Sequence, residues 1–324
     1  MRKSKSVTNG EKYGIIPVKD LQNDYTADLR KCLSWSETQM SYQIITDSCC
    51  DFTQQQYADL GVACAPLTVM YNGESHDNFT DPAAVKAFYD ELRSGVMAST
   101  AAVNPDGWAA LMKKALDRGQ DVLAIAFSSG LSTTYQSAVI AAKELQEVYP
   151  DRKLFVVDSL CAALGQGLLV WHACRNRDNG MTLEENAAWL EENKLKLCHW
   201  VTVDDLSTLK RGGRISATTA AVGTMLNIKP IIHVDNDGHL ISSHKVRGRK
   251  AAMEYLVKKF GETGVDKETV FIGHGDCPED AAQLEAMLRE TYGIQNITTG
   301  FVGPVIGAHT GPGVLVVFYM GQHR

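Results

Sequence analysis

The chain has 324 residues, of which 44% are hydrophobic and 22% charged, and its formal net charge is −6. These values are ordinary for a globular protein, and the length favours two domains over one. Because Lys and Arg do not cluster, we expect no nucleic-acid partner. No run approaches the roughly 20 apolar residues of a membrane span, so no integral membrane association is expected.

The N-terminal 41 residues are polar and irregular, and we predict that residues 1–41 are an extension outside the fold. Their apolar stretch, YGIIPV, is shorter than the about 7–15 residues of a secretory signal. The eight cysteines include no CxxC pair, and Cys49 and Cys50 have no second ligand cluster nearby. We therefore expect reduced thiols, a cytoplasmic location and no metal site.

From Tyr42 onward, segments of strand and helix character alternate. The predicted strands are Tyr42–Thr46, Val62–Met70, Val122–Phe127, Leu154–Val157, His199–Val203, Lys229–Val234, His239–His244, Val270–Ile272 and Val314–Phe318. The predicted helices are Pro82–Leu92, Pro105–Leu116, Thr133–Val148, Leu183–Asn193, Lys250–Phe260 and Pro278–Tyr292. This alternation predicts an α/β protein, and the continuous apolar runs are typical of parallel strands covered on both faces.

The second half of the chain differs from the first in one respect. Asn236-Asp237-Gly238 lies between two apolar runs, which is a hairpin pattern. We therefore predict a mainly parallel sheet in a first domain, residues 42–160, and a mixed sheet in a second domain, residues 161–324.

Polar side chains follow several of the predicted strands. Asp47-Ser48 and Asp158-Ser159 each end a strand, the segment SSGLSTT at 128–134 follows another, and MASTAAVNP at 97–105 precedes a helix. Ligands of open α/β sheets bind beyond the carboxyl ends of the strands, so these segments are predicted to converge on one crevice. Each Asp-Ser pair taken alone is more typical of a helix cap than of a catalytic group.

The segment SSGLSTT holds more hydroxyl groups than helix capping requires. Thr133 and Gln136 fit a capping box, which leaves Ser128, Ser129 and Ser132 without a structural role. The glycine-rich patterns of nucleotide sites and the GxSxG of serine hydrolases are absent, so no cofactor is expected. A cluster of neutral donors at a helix N-terminus indicates a site for a carboxylate.

Two C-terminal motifs complete the candidate set. A pair of glycines is flanked by three cationic residues, Lys210, Arg211 and Arg214. Cations are common at solvated helix ends, but the glycines favour a functional role over that interpretation. His309 and Thr310 are predicted to lie in a glycine- and proline-rich turn just before a buried strand, where the backbone is open to close approach.

Taken together, these segments resemble the DegV family of bacterial proteins from about residue 42 to the end. The matching segments are TDSCCD at 46–51, ST at 99–100, SSGLSTTYQSA at 128–138, VVDS at 156–159, LKRGGRI at 209–215, GTMLNIKPI at 223–231, KVRGRKAA at 245–252 and GPVIGAHTGPG at 303–313. The resemblance implies a two-domain α/β fold that encloses one long-chain fatty acid. It also implies a non-catalytic subunit that presents the fatty acid carboxylate to a separate ATP-dependent fatty acid kinase, for use in phospholipid metabolism.

By position, the resemblance assigns the carboxylate contacts to Thr100, Ser132 and Ser129, with His309 and Arg211 close to the same end. Arg211 is expected to face the phosphoryl group or the kinase. The alternative is a hydrolase of lipid or acyl esters, with Ser132 or Ser129 as nucleophile and His309 as base. Such an enzyme needs a third group to orient the base, and Asp47 and Asp158 are the candidates.

Overall fold

The computed structural model describes residues 42–204, 206–216, 227–267 and 269–324. The predicted extension 1–41 and the first residues of the motif at 223–231 lie outside these ranges. Among the described residues, no helix is both long enough and apolar enough to cross a membrane. The described residues belong to one compact unit, and the domain boundary near residue 160 stays a prediction.

Three sheets organise the described part of the chain. Their strands are β1 Tyr42–Asp47, β2 Ala63–Ala65, β3 Thr68–Tyr71, β4 Glu74–Asp77, β5 Ser99–Ala101, β6 Asp121–Ala126, β7 Leu154–Asp158, β8 Leu197–Thr202, β9 Ile228–Val234, β10 Leu240–Arg247, β11 Thr269–His274, β12 Asn296–Phe301 and β13 Leu315–Met320. The first sheet has the order β2-β1-β6-β7 and is parallel throughout. The second has the order β10-β9-β8-β13-β11-β12 and is mixed, because only β11 and β12 pair in parallel.

These sheets confirm the predicted α/β class, with a parallel sheet first and a mixed sheet second. The hairpin predicted at Asn236-Asp237-Gly238 joins antiparallel β9 and β10. The prediction of one strand over 62–70 was wrong, because Pro66 separates β2 of the first sheet from β3 of a third. Proline has no N–H to give to a ladder, so the chain changes sheets there. The third sheet, β4-β3-β5, is antiparallel and was not predicted.

Helices cover the sheets. They are α1 Gln54–Leu60, α2 Pro82–Arg93, α3 Pro105–Leu116, α4 Thr134–Val148, α5 Leu164–Asp178, α6 Leu183–Asn193, α7 Ser207–Arg211, α8 Arg249–Thr263, α9 Pro278–Tyr292 and α10 Pro304–Thr310. The predicted proline starts of α2, α3 and α9 are confirmed. The Asp81 and Asn104 side chains cap the first two of these helices by accepting a backbone N–H.

Helix α5 was not predicted, because its residues do not alternate between an apolar and a polar face. Every residue from Leu164 to Val170 is buried. The helix packs against β1 of the first sheet and against β8, β11 and β13 of the second, so both sheets share one hydrophobic core around it. The first half of this helix is buried on all sides and therefore lies inside the protein, where it joins the two sheets.

Candidate ligand-binding site

A cavity of about 470 Å³ lies between the strand ends of the first sheet and the face of the second. Most of its wall is apolar and consists of Leu67, Phe127, Leu131, Val201, Leu209, Ile232, Val234, Leu240, Val302, Val305, Ile306, Val314, Val316 and Phe318, together with small residues. The polar lining residues are Thr100, Ser129, Ser132, Thr133, Gln136, His199, Arg214, His309 and Thr310. A cavity of this volume, with an apolar wall and few polar groups, suits an elongated apolar ligand with one polar end.

The loop between β6 and α4 forms one wall of the cavity, and its glycine allows the β9–β10 hairpin to approach. The Ser128 hydroxyl donates to the Gly238 carbonyl at 2.9 Å. A methyl group on Gly130 would lie 2.7 Å from the Asp237 carbonyl oxygen, which is too close for any other residue. Ser128 therefore has a structural role in this contact, whereas Ser129 lines the cavity.

Ser132, rather than Thr133, provides the side-chain oxygen that accepts a backbone N–H at the start of helix α4. The Thr134 N–H donates to Ser132 Oγ at 3.2 Å, and the Ser132 and Thr134 hydroxyls are 2.9 Å apart. Thr133 makes no capping hydrogen bond, so the predicted capping box with Gln136 was wrong. The Thr133 backbone is not extended as a capping residue requires, and both Thr133 and Gln136 line the cavity instead.

Thr100 and His309 come together at the polar end of the cavity. Thr100 Oγ1 lies 2.8 Å from His309 Nε2. Thr100 is in β5, and His309 is in the last turn of α10, so the predicted turn at His309 and Thr310 was wrong. Burial, and then the nearby positive charge of Arg214, lower the pKa of His309 to about 4, so the imidazole is neutral at pH 7.

Helix α10 is held at its N-terminal end by polar side chains from the segments that follow β1 and β4 and from helix α2. The Val305 N–H donates to Asn78 Oδ1 at 3.0 Å, and Gly303 lies directly against the Asp51 carboxyl. The Tyr89 hydroxyl donates to the Val302 carbonyl at 2.8 Å, just before the helix. Gly303 as N-cap and proline at the next position start the helix, which explains why the segment is helical. These contacts anchor the helix whose last turn carries His309.

The two arginines of the LKRGGRI motif occupy different places. Arg214 lines the cavity, and its Nε donates to the Leu131 carbonyl at 3.2 Å while its Nη1 donates to the Gly212 carbonyl at 2.6 Å. Arg211 ends helix α7, is exposed and does not line the cavity. Within the described lining, Arg214 is the residue with a permanent positive charge. The motif contained this residue, but spacing alone did not show which arginine turns inward.

The two candidate aspartates have structural partners. Asp47 accepts the Phe127 N–H at 2.7 Å and the Cys49 N–H at 3.0 Å. Asp158 Oδ1 accepts the N–H groups of Ser129 and Leu160, each at 3.1 Å. Each carboxylate therefore holds strand-end loops together.

The geometry does not support the hydrolase alternative. His309 Nε2 is paired with Thr100, and among the described residues His309 Nδ1 has no hydrogen-bond partner. Ser132 is paired with Thr134, and no hydrogen bond joins Ser129 or Ser132 to the imidazole in the described part of the chain. A nucleophile, a base and an orienting carboxylate are therefore not assembled.

One group of possible metal ligands lies outside the cavity, in the β9–β10 turn. Carboxylate and imidazole atoms of Asp235, Asp237 and His239 lie within 4.8 Å of one another. Asp235 Oδ1 already accepts the backbone N–H groups of the other two residues, at 3.0 and 2.8 Å. These contacts stabilise the turn, and we assign no ion to it.

Comparison with known proteins places the chain among related sequences and structures. Residues 41–322 match the family model described as "Uncharacterised protein, DegV family". A DegV domain-containing protein of Clostridium perfringens is 43% identical over 286 residues, which cover 87% of this chain and 98% of the relative. The match covers nearly the whole relative, and the family model begins at residue 41 of this chain.

Two solved structures share the architecture. A DegV lipid-binding protein from Thermotoga maritima is 29% identical, with a TM-score of 0.77 and coverage of 88% of this chain and 100% of that one. A DegV family protein from Thermus thermophilus, described for its fatty acid binding, is 30% identical, with a TM-score of 0.77 and coverage of 87% and 100%. These values confirm the predicted fold.

Proposed function

The chain belongs to the DegV family, and from this premise we propose that it binds one long-chain fatty acid in the cavity. The carboxylate lies at the end formed by Thr100, Ser129, Ser132 and His309, and the acyl chain follows the apolar wall. The cavity itself is the observation that carries this proposal, because it combines about 470 Å³ of mostly apolar space with hydroxyl groups in its wall. The fatty acid binding described for the Thermus thermophilus relative supports it.

The polar end offers donors that suit a carboxylate. His309 is neutral, so one of its ring nitrogens carries a proton. When that proton is on Nε2, the ring donates to Thr100 Oγ1 and leaves the Thr100 hydroxyl hydrogen for the ligand. Arg214 adds a positive charge in the same cavity, and a charged partner strengthens hydrogen bonds to a carboxylate. The sequence predicted a site of uncharged donors, and the cavity lining adds one cation, Arg214, to them.

The acyl chain supplies most of the affinity. Each buried methylene contributes about 0.8 kcal/mol, so a chain of about fourteen methylenes contributes about 11 kcal/mol before the cost of association. A ligand held in this way dissociates slowly and is retained through purification.

The experiment is extraction of lipid from the purified, denatured protein, followed by mass spectrometry. We expect about one fatty acid per chain, since the cavity has the volume of a single small-molecule site. If no fatty acid is extracted and none is taken up from solution, the protein does not bind fatty acids.

The finer proposal is that the protein presents the bound carboxylate to a separate ATP-dependent kinase, which forms the acyl phosphate. Phosphoryl transfer depends mainly on positioning and on stabilisation of charge. The exposed Arg211 at the end of α7 supports this proposal, because a cation at the surface near the LKRGGRI motif is available to a docked kinase or to its phosphate. In this role the protein has no independent catalysis, and it acts in the cytoplasm in phospholipid metabolism.

A further inference from the structure

The floor of the cavity is built from one face of the antiparallel pair β8 and β13. Val316 pairs with Val201, and Phe318 pairs with His199. These four residues and Val314 all line the cavity. A strand advances about 3.3 Å per residue, so Phe318 lies about 13 Å along the floor from Val314, which follows the turn after helix α10. The floor therefore leads away from the polar end, where His309 lies in the last turn of that helix.

The cavity stops at the His199–Phe318 pair. The next pair on the same face is Leu197 with Met320, and neither of these residues lines the cavity. The rings of His199 and Phe318 meet edge to face, with centroids 5.3 Å apart and planes at 86°. Both side chains are almost fully enclosed, with exposures of 2% and 1%. They form a wall across the end of the floor.

The two rings are tightly packed, because glycine backbone lies directly against them. A methyl group on Gly165 of α5 would lie 2.7 Å from Phe318 Cδ1 and would also collide with the imidazole. A methyl group on Gly273 of β11 would lie 3.2 Å from Phe318 Cε2. The Ala162 N–H donates to His199 Nε2 at 3.2 Å and fixes the ring. Close packing of this kind resists displacement by a ligand.

The wall carries no charge. Burial, and then the nearby Arg324, lower the pKa of His199 well below its usual range. The Leu197 carbonyl lies near the ring and favours its protonated form, but it accepts no hydrogen bond of ordinary geometry from Nδ1. A neutral aromatic wall suits a terminal methyl group and excludes a second carboxylate.

From this geometry we infer that the His199–Phe318 pair sets the longest acyl chain that the cavity accepts. The inference rests on the proposed fatty acid binding and adds the determinant of chain length. A ligand with its carboxylate at Thr100 and His309 extends along the floor until its methyl end meets the two rings. Longer chains are excluded because the rings are held in place by their close contacts with Gly165 and Gly273.

The test is competitive loading of the full chain with an equimolar mixture of straight-chain saturated fatty acids, from dodecanoic to docosanoic. Bound acids are then identified by mass spectrometry. The variants are Phe318→Leu and Phe318→Ala. The control is Phe260→Leu, because Phe260 is an equally buried phenylalanine of α8 that does not line the cavity. Circular dichroism and thermal unfolding establish that each variant is folded.

We expect both Phe318 variants to shift the most abundant bound acid upward by about two carbons, because truncating the ring vacates the space that it now fills at the end of the cavity. Two newly accommodated methylenes change the ratio of long to short acids by about tenfold. Phe260→Leu should bind the same distribution of fatty acids as wild type. If Phe318→Ala does not fold, Phe318→Leu decides.

An unchanged distribution in a folded Phe318 variant would overturn the inference. So would an equal upward shift in Phe260→Leu, because the effect would then follow from general loosening. If wild type takes up none of the acids, the proposed function fails as well. That result differs from one in which wild type and the Phe318 variants bind the same acids, which would contradict only the inference about chain length.

Discussion

Thr100 Oγ1 and His309 Nε2 are 2.8 Å apart, although 209 positions separate the two residues in the sequence. The contact joins a short strand of the third sheet to the last turn of α10. It places a hydroxyl group and a neutral imidazole side by side at the polar end of an apolar cavity.

We predict that Thr100→Val weakens retention of fatty acid by about 1–3 kcal/mol, the range for losing a hydrogen bond to a charged group. Valine keeps the branched shape and the strand preference of threonine, so β5 should persist. The measurement is the rate of loss of a fluorescent fatty acid. Thr68→Val is the matched control, because Thr68 lies in neighbouring β3, opposite Ala101, and does not line the cavity. Equal rates in the two variants would place the carboxylate elsewhere.

We predict that Ser132→Ala lowers both fatty acid retention and the free energy of unfolding. The serine oxygen accepts the Thr134 N–H at the start of α4, and losing such an acceptor costs about 0.5–2 kcal/mol. Thr133→Ala is the control, since Thr133 makes no capping hydrogen bond. Urea unfolding of both variants measures the difference. A larger loss of stability in Thr133→Ala would restore the capping box that the sequence predicts.

We predict that Asp51→Asn removes part of the pH dependence of stability. Burial raises the pKa of Asp51 to about 8, whereas an unfolded aspartate titrates near 4. Between these values the folded carboxyl holds a proton that the unfolded chain releases, so its stabilising contribution falls as the pH rises from about 4 to about 8. Asparagine does not titrate, so wild type should lose stability relative to the variant over this range.

Urea unfolding at several pH values tests the Asp51 prediction. Asp151→Asn, in an exposed turn, is the control and should keep the wild-type profile. The difference between wild type and variant isolates Asp51 from Asp47, whose pKa burial also raises, to about 6. A difference that is constant with pH would mean that Asp51 is already ionised in the folded protein.

We predict that the two arginines of the LKRGGRI motif have separable roles. Arg214→Ala should weaken fatty acid retention by about 1–3 kcal/mol, because the cation lines the cavity. Arg211→Ala should leave bound lipid unchanged but slow acyl phosphate formation by a cognate kinase, because its side chain is exposed. Bound lipid and kinase turnover are measured on the same preparations. Lys210→Ala is the control, since Lys210 is an exposed neighbour on the same helix.

Loss of lipid and of turnover in the same proportion in Arg211→Ala would mean that Arg211 contributes only to binding. If Arg211→Ala keeps the wild-type kinase turnover, Arg211 takes no part in the kinase interaction.

The sequence pattern alone predicted those elements whose conformation depends on residues close together in the chain. The alternation of strand and helix, the proline starts of α2, α3 and α9, and the hairpin at Asn236-Asp237-Gly238 depend on backbone preferences, which neighbouring residues determine. Helix α5 was missed because burial, rather than sequence period, stabilises it. The small β4-β3-β5 sheet was missed because its strands have only four, four and three residues, too few to show a period.

For this protein the sequence by itself determined the α/β class, the family and the residue types of the proposed carboxylate site. Only the tertiary structure decided which residues meet. It pairs Thr100 with His309, turns Arg214 inward and Arg211 outward, and closes the cavity with His199 and Phe318. The physical reason is that these contacts join distant segments, whose relative positions depend on how the sheets pack around α5 and not on the preferences of any single segment.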